Sequence, residues 1–143
     1  MHGLTNKCSV STDFEISRHE STLEYLGKYF DNATSGVSIE RYLEMCEVMG
    51  DTPDPEKMPP DYGDFPAYVH IGIEIFNALP DMYSGGTTPI YTGKDLASLT
   101  MLFELYLVEV SMRMKTFEII RFLDNRARTQ AIKAAEKANK RSK

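Results

Sequence analysis

Cysteine is scarce in this chain: Cys8 and Cys46 are the only two in 143 residues. Two thiols in a chain of this size fit a reducing compartment better than a disulfide scaffold, and they lack the C-x-x-C spacing of a zinc site. His2, His19 and His70 are scattered, so no local metal-ligand set is legible, and neither metal nor cofactor is expected. No apolar run approaches the ~18 residues that begin to suggest a membrane span. The opening MHGLTNKCSV lacks the apolar stretch of a secretory signal. These absences predict a cytoplasmic chain that does not insert in a membrane.

Catalytic signatures are missing as well. Gly93-Lys94 tempts a phosphate-loop reading, which requires G-x-x-x-x-G-K-[ST] after a strand. Here the preceding glycine, Gly86, lies seven positions back, and Asp95 stands where the hydroxyl should be. An acid there repels phosphate. The acids Asp51, Asp54, Glu56, Asp61 and Asp64 do not follow the alternating spacing of a calcium loop and read as solvated. Cys46 has acidic helix neighbours and no base, so it reads as a small core residue. His70 sits among apolar residues and reads as a core or boundary histidine. An enzyme would have to assemble its site from distant residues such as Asp64, His70, Tyr91 and Asp95. The expectation is a non-enzymatic protein.

What is present is a globular composition with an uneven charge. Hydrophobic residues make up 42% and charged residues 26%, enough for one domain with a core. The net charge is −5. Arg126, Arg128, Lys133, Lys137, Lys140, Arg141 and Lys143 face one acid, Glu136, so residues 126–143 carry +6 and the remainder −11. Such a dipolar chain suits docking on an acidic protein surface or on nucleic acid. The plainer reading is a solvated helix end, where cations also favour the helix dipole.

Residues 1–36 are weakly patterned and read as a partly ordered N-terminal arm. Leu23, Leu26 and Phe30 allow a short helix there, weakened by Gly27. Residues 37–125 read as a helical domain and 126–143 as a basic helical tail. Within the domain, Ser38 and Gly50 bracket a helix over 38–49, with Ile39, Tyr42, Leu43, Cys46 and Met49 on one face. Five prolines in the next sixteen residues, 51–66, dictate an extended connector. In it, the Met58, Pro59, Pro60 and Tyr62 cluster reads as a docking motif or as residues folded back on the core. Asp64 reads as the cap of a helix over 65–79, with Gly72 permitting another helix to approach closely. Residues 81–92 read as a turn or hairpin that packs Ile90 and Tyr91 on the core.

Thr92 and Asp95 then resemble a helix start. Leu96, Leu99, Phe103, Tyr106, Leu107 and Val110 recur at helical spacing, and Leu102, Leu105 and Val108 widen the stripe. This predicts a helix over 95–110. A weakening near Val108–Ser111 predicts two helices or one bent one, continuing over 112–138 with a thin alanine stripe. The fold class predicted is all-α: an irregular antiparallel bundle of three to four helices.

The segments DPEKMPPDYGDFP, FNALPD and YTGKDL, with the basic run after FLDNRA, together resemble small helical proteins of tailed bacteriophages, over roughly residues 40–143. The resemblance implies a role in virion morphogenesis. Tail-assembly chaperones share the build of a compact helical body with a charged C-terminal helix. Phage structural or assembly proteins would then be the partners, the host cytoplasm the location, and a homo-oligomer a natural state. Nucleic acid is the alternative partner, as for a small packaging subunit, and the basic residues 126–143 are the binding candidates on either reading.

Overall fold

The computed structural model describes the backbone of residues 5–142 and the side chains of residues 18–33 and 36–142. In chain order the elements are α1 (Thr5–Ser35), α2 (Ile39–Met49), a 3-10 turn (Tyr62–Asp64), α3 (Ala67–Ala78), β1 (Asp81–Tyr83), β2 (Tyr91–Lys94), α4 (Leu99–Leu105) and α5 (Val110–Arg141). The chain is thus mostly helical, and the all-α expectation is corrected by one antiparallel hairpin. Contacts divide it into two compact units, Met1–Phe65 and Pro66–Lys143. That division falls inside the stretch 37–125 read from the sequence as one helical domain.

In the first unit, residues 1–4 of the expected arm lie outside the described residues and 5–35 form α1, a helix of 31 residues. Its inward stripe runs through buried His19 and Leu26 and half-buried Thr22, Leu23 and Phe30 at spacings of three and four. Burying one such leucine contributes about 2 kcal/mol, more than Gly27 costs. Tyr25 and Tyr29 pack against Phe65 with ring centroids 5.2 and 5.6 Å apart, and Tyr62 lies 5.9 Å from Tyr29. The Tyr25 hydroxyl accepts from the Asp61 amide at 3.2 Å and donates to Asp64 Oδ2 at 3.1 Å. Burial raises its pKa first; the hydrogen bond from the Asp61 amide works the other way, and the bond to Asp64 and the charges of both acids add to the rise.

The proline connector therefore folds back. Tyr42, on α2, brackets Asp54 by accepting from its amide at 3.1 Å and donating to its carbonyl at 3.4 Å. α2 itself follows its sequence signals. Ser38 accepts from the Arg41 amide at 3.2 Å, and Gly50 closes the helix at φ 71°. Its apolar face is narrower than the spacing suggests. Cys46 is buried, Ile39 and Tyr42 are half-buried, and Leu43 and Met49 are exposed.

In the second unit, α3 and α5 form the main packed pair. Gly72 makes this possible: a Cβ there would lie 2.8 Å from Ile119 Cγ2. The core joins Ile75, Leu79, Leu102, Phe103, Val108 and Ile120, with Phe76, Leu99, Met112 and Phe117 packed around them. α3 begins later than expected. Pro66 is its N-cap, and Asp64 instead binds Tyr25. Asp81 pairs with Lys94 and Met82 with Gly93, and an irregularity follows before Tyr83 meets Tyr91.

The helix start assigned to Thr92 is corrected, because Thr92 lies in β2. Asp95 accepts from the Ala97 amide at 3.0 Å, closing a local turn, and α4 begins only at Leu99. α4 ends within two turns. The Val108 amide donates to the Phe103 carbonyl at 2.9 Å and the Leu107 amide to the Glu104 carbonyl at 3.1 Å. This is the Schellman pattern, with Phe103 and Val108 both buried as its usual apolar pair. Leu107 takes the left-handed position at φ 54°, where glycine is the common choice. The single stripe expected over 96–110 is therefore split. Leu96, Leu105, Leu107 and Val110 are exposed, because the chain changes direction inside the periodicity.

Candidate interaction surfaces

A densely connected polar cluster in the second unit is built on Asp124 of α5. Its Oδ1 accepts from the Tyr91 hydroxyl at 2.8 Å and from the Lys94 amide at 2.9 Å, while Arg128 Nε lies 3.5 Å from Oδ2. Gly93 passes beneath at φ 132°, and a Cβ there would stand 3.2 Å from Asp124 Oδ2. Glycine is required by both the conformation and the space. Lys94 is nearly buried. Its Nζ pairs with Asp81 Oδ1 at 2.6 Å, donates to the Leu79 carbonyl at 3.1 Å and sits 4.7 Å from the Phe76 ring centre. Burial and then the hydrogen bond to Asp124 push the Tyr91 pKa well up. A phenol that holds its proton so firmly is a poor acid. Asp124 thus serves as a clamp fixing the hairpin to α5. The residues named as distant enzymatic candidates have separate structural work: Asp64 binds Tyr25, Tyr91 binds Asp124 and Asp95 closes a turn. His70 is half-buried on α3.

The basic residues chosen from the sequence divide into two groups. Arg128 belongs to the clamp. It pairs with Asp124 and donates to Asn125 Oδ1. Arg126 is half-buried, while Lys133, Lys137, Lys140 and Arg141 are exposed on a helix that runs unbroken to Arg141. Lys143 lies outside the described residues. At 3.6 residues per turn, Arg126, Lys133, Lys137, Lys140 and Arg141 fall within an arc of about 100°, and Arg128 lies on the far side. From Arg126 to Arg141 the helix rises about 22 Å. Counting charges did not reveal this. A helical wheel would have done so, given the knowledge that α5 is continuous.

Two apolar surfaces complete the picture. On α2, Met45, Val48 and Met49 are 48, 88 and 72% exposed, and with Arg41 and Glu44 they line a shallow open hollow. At the α4–α5 turn, Leu105, Leu107, Val110 and Met114 are 68, 87, 77 and 67% exposed. Singly exposed apolar residues are ordinary, whereas a sequence-local group of this size marks a candidate contact surface. The larger hollow in the first unit, about 480 Å³, is lined by Tyr29, Val37, Ile39, Pro59 and Tyr62 among others and is open to solvent.

Among the described residues, no group of three or more His, Cys, Asp or Glu is placed to hold a metal ion. No helix among them is long and apolar enough to cross a membrane. Comparison with known proteins finds no family model, no curated protein and no solved structure that matches this chain.

Proposed function

We propose that this chain is a non-enzymatic interaction and assembly factor of the kind that acts in virion morphogenesis of tailed bacteriophages, with the C-terminal half of α5 as its docking element. The scaffold in this reading is an irregular antiparallel bundle of three to four helices around the α3–α5 pair. The place of action is the cytoplasm, the host's if the chain is phage-encoded. The observation that carries the reading is the basic stripe Arg126, Lys133, Lys137, Lys140 and Arg141 on one side of a continuous helix. A rigid row of cations, on a chain otherwise acidic, presents one sign of charge to a partner and orients the encounter. An acidic protein surface is the partner favoured, because the −11 carried by residues 1–125 repels nucleic acid.

A second reading rests on the same stripe. A nearly straight row of cations about 22 Å long also suits a phosphate backbone, as in a nucleic-acid-binding accessory or packaging subunit. The experiment is light scattering behind size exclusion, at about 50 and 200 mM salt, with and without duplex DNA. A mass unchanged by DNA at the lower salt supports the protein-docking reading. A DNA complex at the lower salt that is lost at the higher salt supports the second reading and overturns the first. The control exchanges Lys133, Lys137, Lys140 and Arg141 for Gln and leaves Arg128 in its clamp.

A further inference from the structure

We propose that the basic stripe of α5 docks on α2 of a second copy of this chain, so that copies join head to tail. This pairing rests on the reading of the stripe as a protein-docking element and names its partner. α2 presents an outward face in which Glu40, Glu44 and Glu47 are exposed, and beside them Met45 and Val48 are 48 and 88% exposed. All three glutamates lie within the helix. At 3.6 residues per turn they fall in an arc of about 60° over a rise of about 10 Å.

Charge complementarity selects the occupant. Lys133, Lys137 and Lys140 on α5 repeat the same spacing, four residues and then three. They therefore fill an equal arc of about 60° with an equal rise, and all three are exposed. Laid side by side in parallel, α2 of one copy and α5 of the other set Glu40 opposite Lys133, Glu44 opposite Lys137 and Glu47 opposite Lys140. The flanks agree with this register. Arg41 falls on the same side as Glu136, and on the other side Leu43, 40% exposed, is level with the gap between Ala134 and Ala138. An antiparallel arrangement sets Arg41 beside Arg141, so charge favours the parallel one.

The helices themselves do not account for these rows. Glu40 at the start of α2 and Lys140 at the end of α5 suit the helix dipole. Glu44 and Lys137, however, each lie four residues from a like charge, which destabilises a helix. Glu47 stands in the last turn of α2, where an acid opposes the dipole. Among the described residues, no salt bridge engages any of the six. The opposite row of a second copy relieves both. Two different surfaces meet, so the interface is heterologous, and copies add in series until a ring closes or the series stays open.

The test is sedimentation velocity of the full chain from about 10 to 500 μM, a high range because exposed ion pairs are individually weak. At about 50 mM salt the average mass should rise with concentration past that of a dimer, and at about 500 mM salt it should fall back. The triple variants E40K/E44K/E47K and K133E/K137E/K140E should each remain monomeric with the parent's far-UV signal. Mixed one to one, they should associate again, because each then meets its complement on the other chain; mixing restores only a contact between copies. Should a triple variant lose its far-UV signal, Glu44→Gln and Lys137→Gln decide instead, each expected to weaken association about threefold. The proposal is overturned by a monomer throughout the range, by an assembly that the substitutions leave as tight as the parent's, or by a mixture no larger than its folded components. A chain that stays monomeric leaves the stripe to another acidic protein, whereas a DNA complex at low salt overturns the protein-docking reading itself.

Discussion

Replacing Leu107 with Gly should make the folded chain more stable, although it deletes an entire side chain. Leu107 occupies the left-handed region at φ 54°, which costs an L-residue about 1–2 kcal/mol. Glycine removes that cost. Against this stands the greater freedom of glycine in the unfolded chain, about 0.5–1 kcal/mol. Little burial is lost, because the side chain is 87% exposed. The Schellman hydrogen bonds from Leu107 and Val108 use backbone groups and survive the exchange. The net expectation is a gain of about 0.5–1 kcal/mol, or roughly 2–3 °C in Tm for a chain of this length. The assay is thermal and urea denaturation followed by circular dichroism. Leu107→Ala separates the two contributions, since alanine keeps the Cβ that causes the strain and should bring no gain. A Leu107→Gly variant less stable than its parent by 1 kcal/mol or more would refute the reasoning and show that the leucine packs within its own fold.

Asp124→Ala should destabilise by about 2–4 kcal/mol in urea unfolding, because the Tyr91 hydroxyl and the Lys94 amide both lose their acceptor in a half-buried place; a cost under about 0.5 kcal/mol would show that the clamp holds nothing. Gly72→Ala gains helix propensity but forces a methyl to within 2.8 Å of Ile119 Cγ2, so a net cost of about 1–2 kcal/mol is expected. An unchanged or higher midpoint would mean that α3 and α5 part at little cost. The raised Tyr91 pKa has a pH signature. The folded state keeps the phenol protonated while the unfolded state ionises it near 10.0. The stability from this group is therefore fully present below pH 10 and falls as the pH rises from there toward the folded pKa. Denaturation midpoints measured from about pH 9 to 11 should fall more steeply for the parent than for Tyr91→Phe. Parallel curves would exclude the Tyr91–Asp124 bond as the source.

Some elements were legible because their signals are local. Ser38 and Gly50 lie next to the helix they bound, and the structure uses both as the sequence implies. Gly72 on an apolar face signalled the close approach of another helix, and Ile119 of α5 is what approaches. The Thr92–Asp95 pair misled for an equally physical reason. It has the composition of a helix cap, but the backbone of Tyr91–Lys94 finds a partner strand at Asp81–Tyr83, and a cap signal carries no information about that pairing. The turn after α4 was hard to see because its usual marker, glycine, is replaced by Leu107. Periodicity then ran straight across two helices and made exposed leucines look buried.

Composition, charge and spacing alone determined the helical majority, the absence of a regular helix from the proline segment, and the basic character of residues 126–143. Each follows from properties that a residue carries into any environment. Tertiary structure decided which charges are available and which apolar groups stay wet. Arg128 is drawn into the clamp because Asp124 lies one turn away beside the hairpin. Arg126, Lys133, Lys137, Lys140 and Arg141 become a single stripe because α5 does not break. Leu107 is exposed because the path of the chain, set by the packing of Phe103 and Val108, leaves it no core to enter.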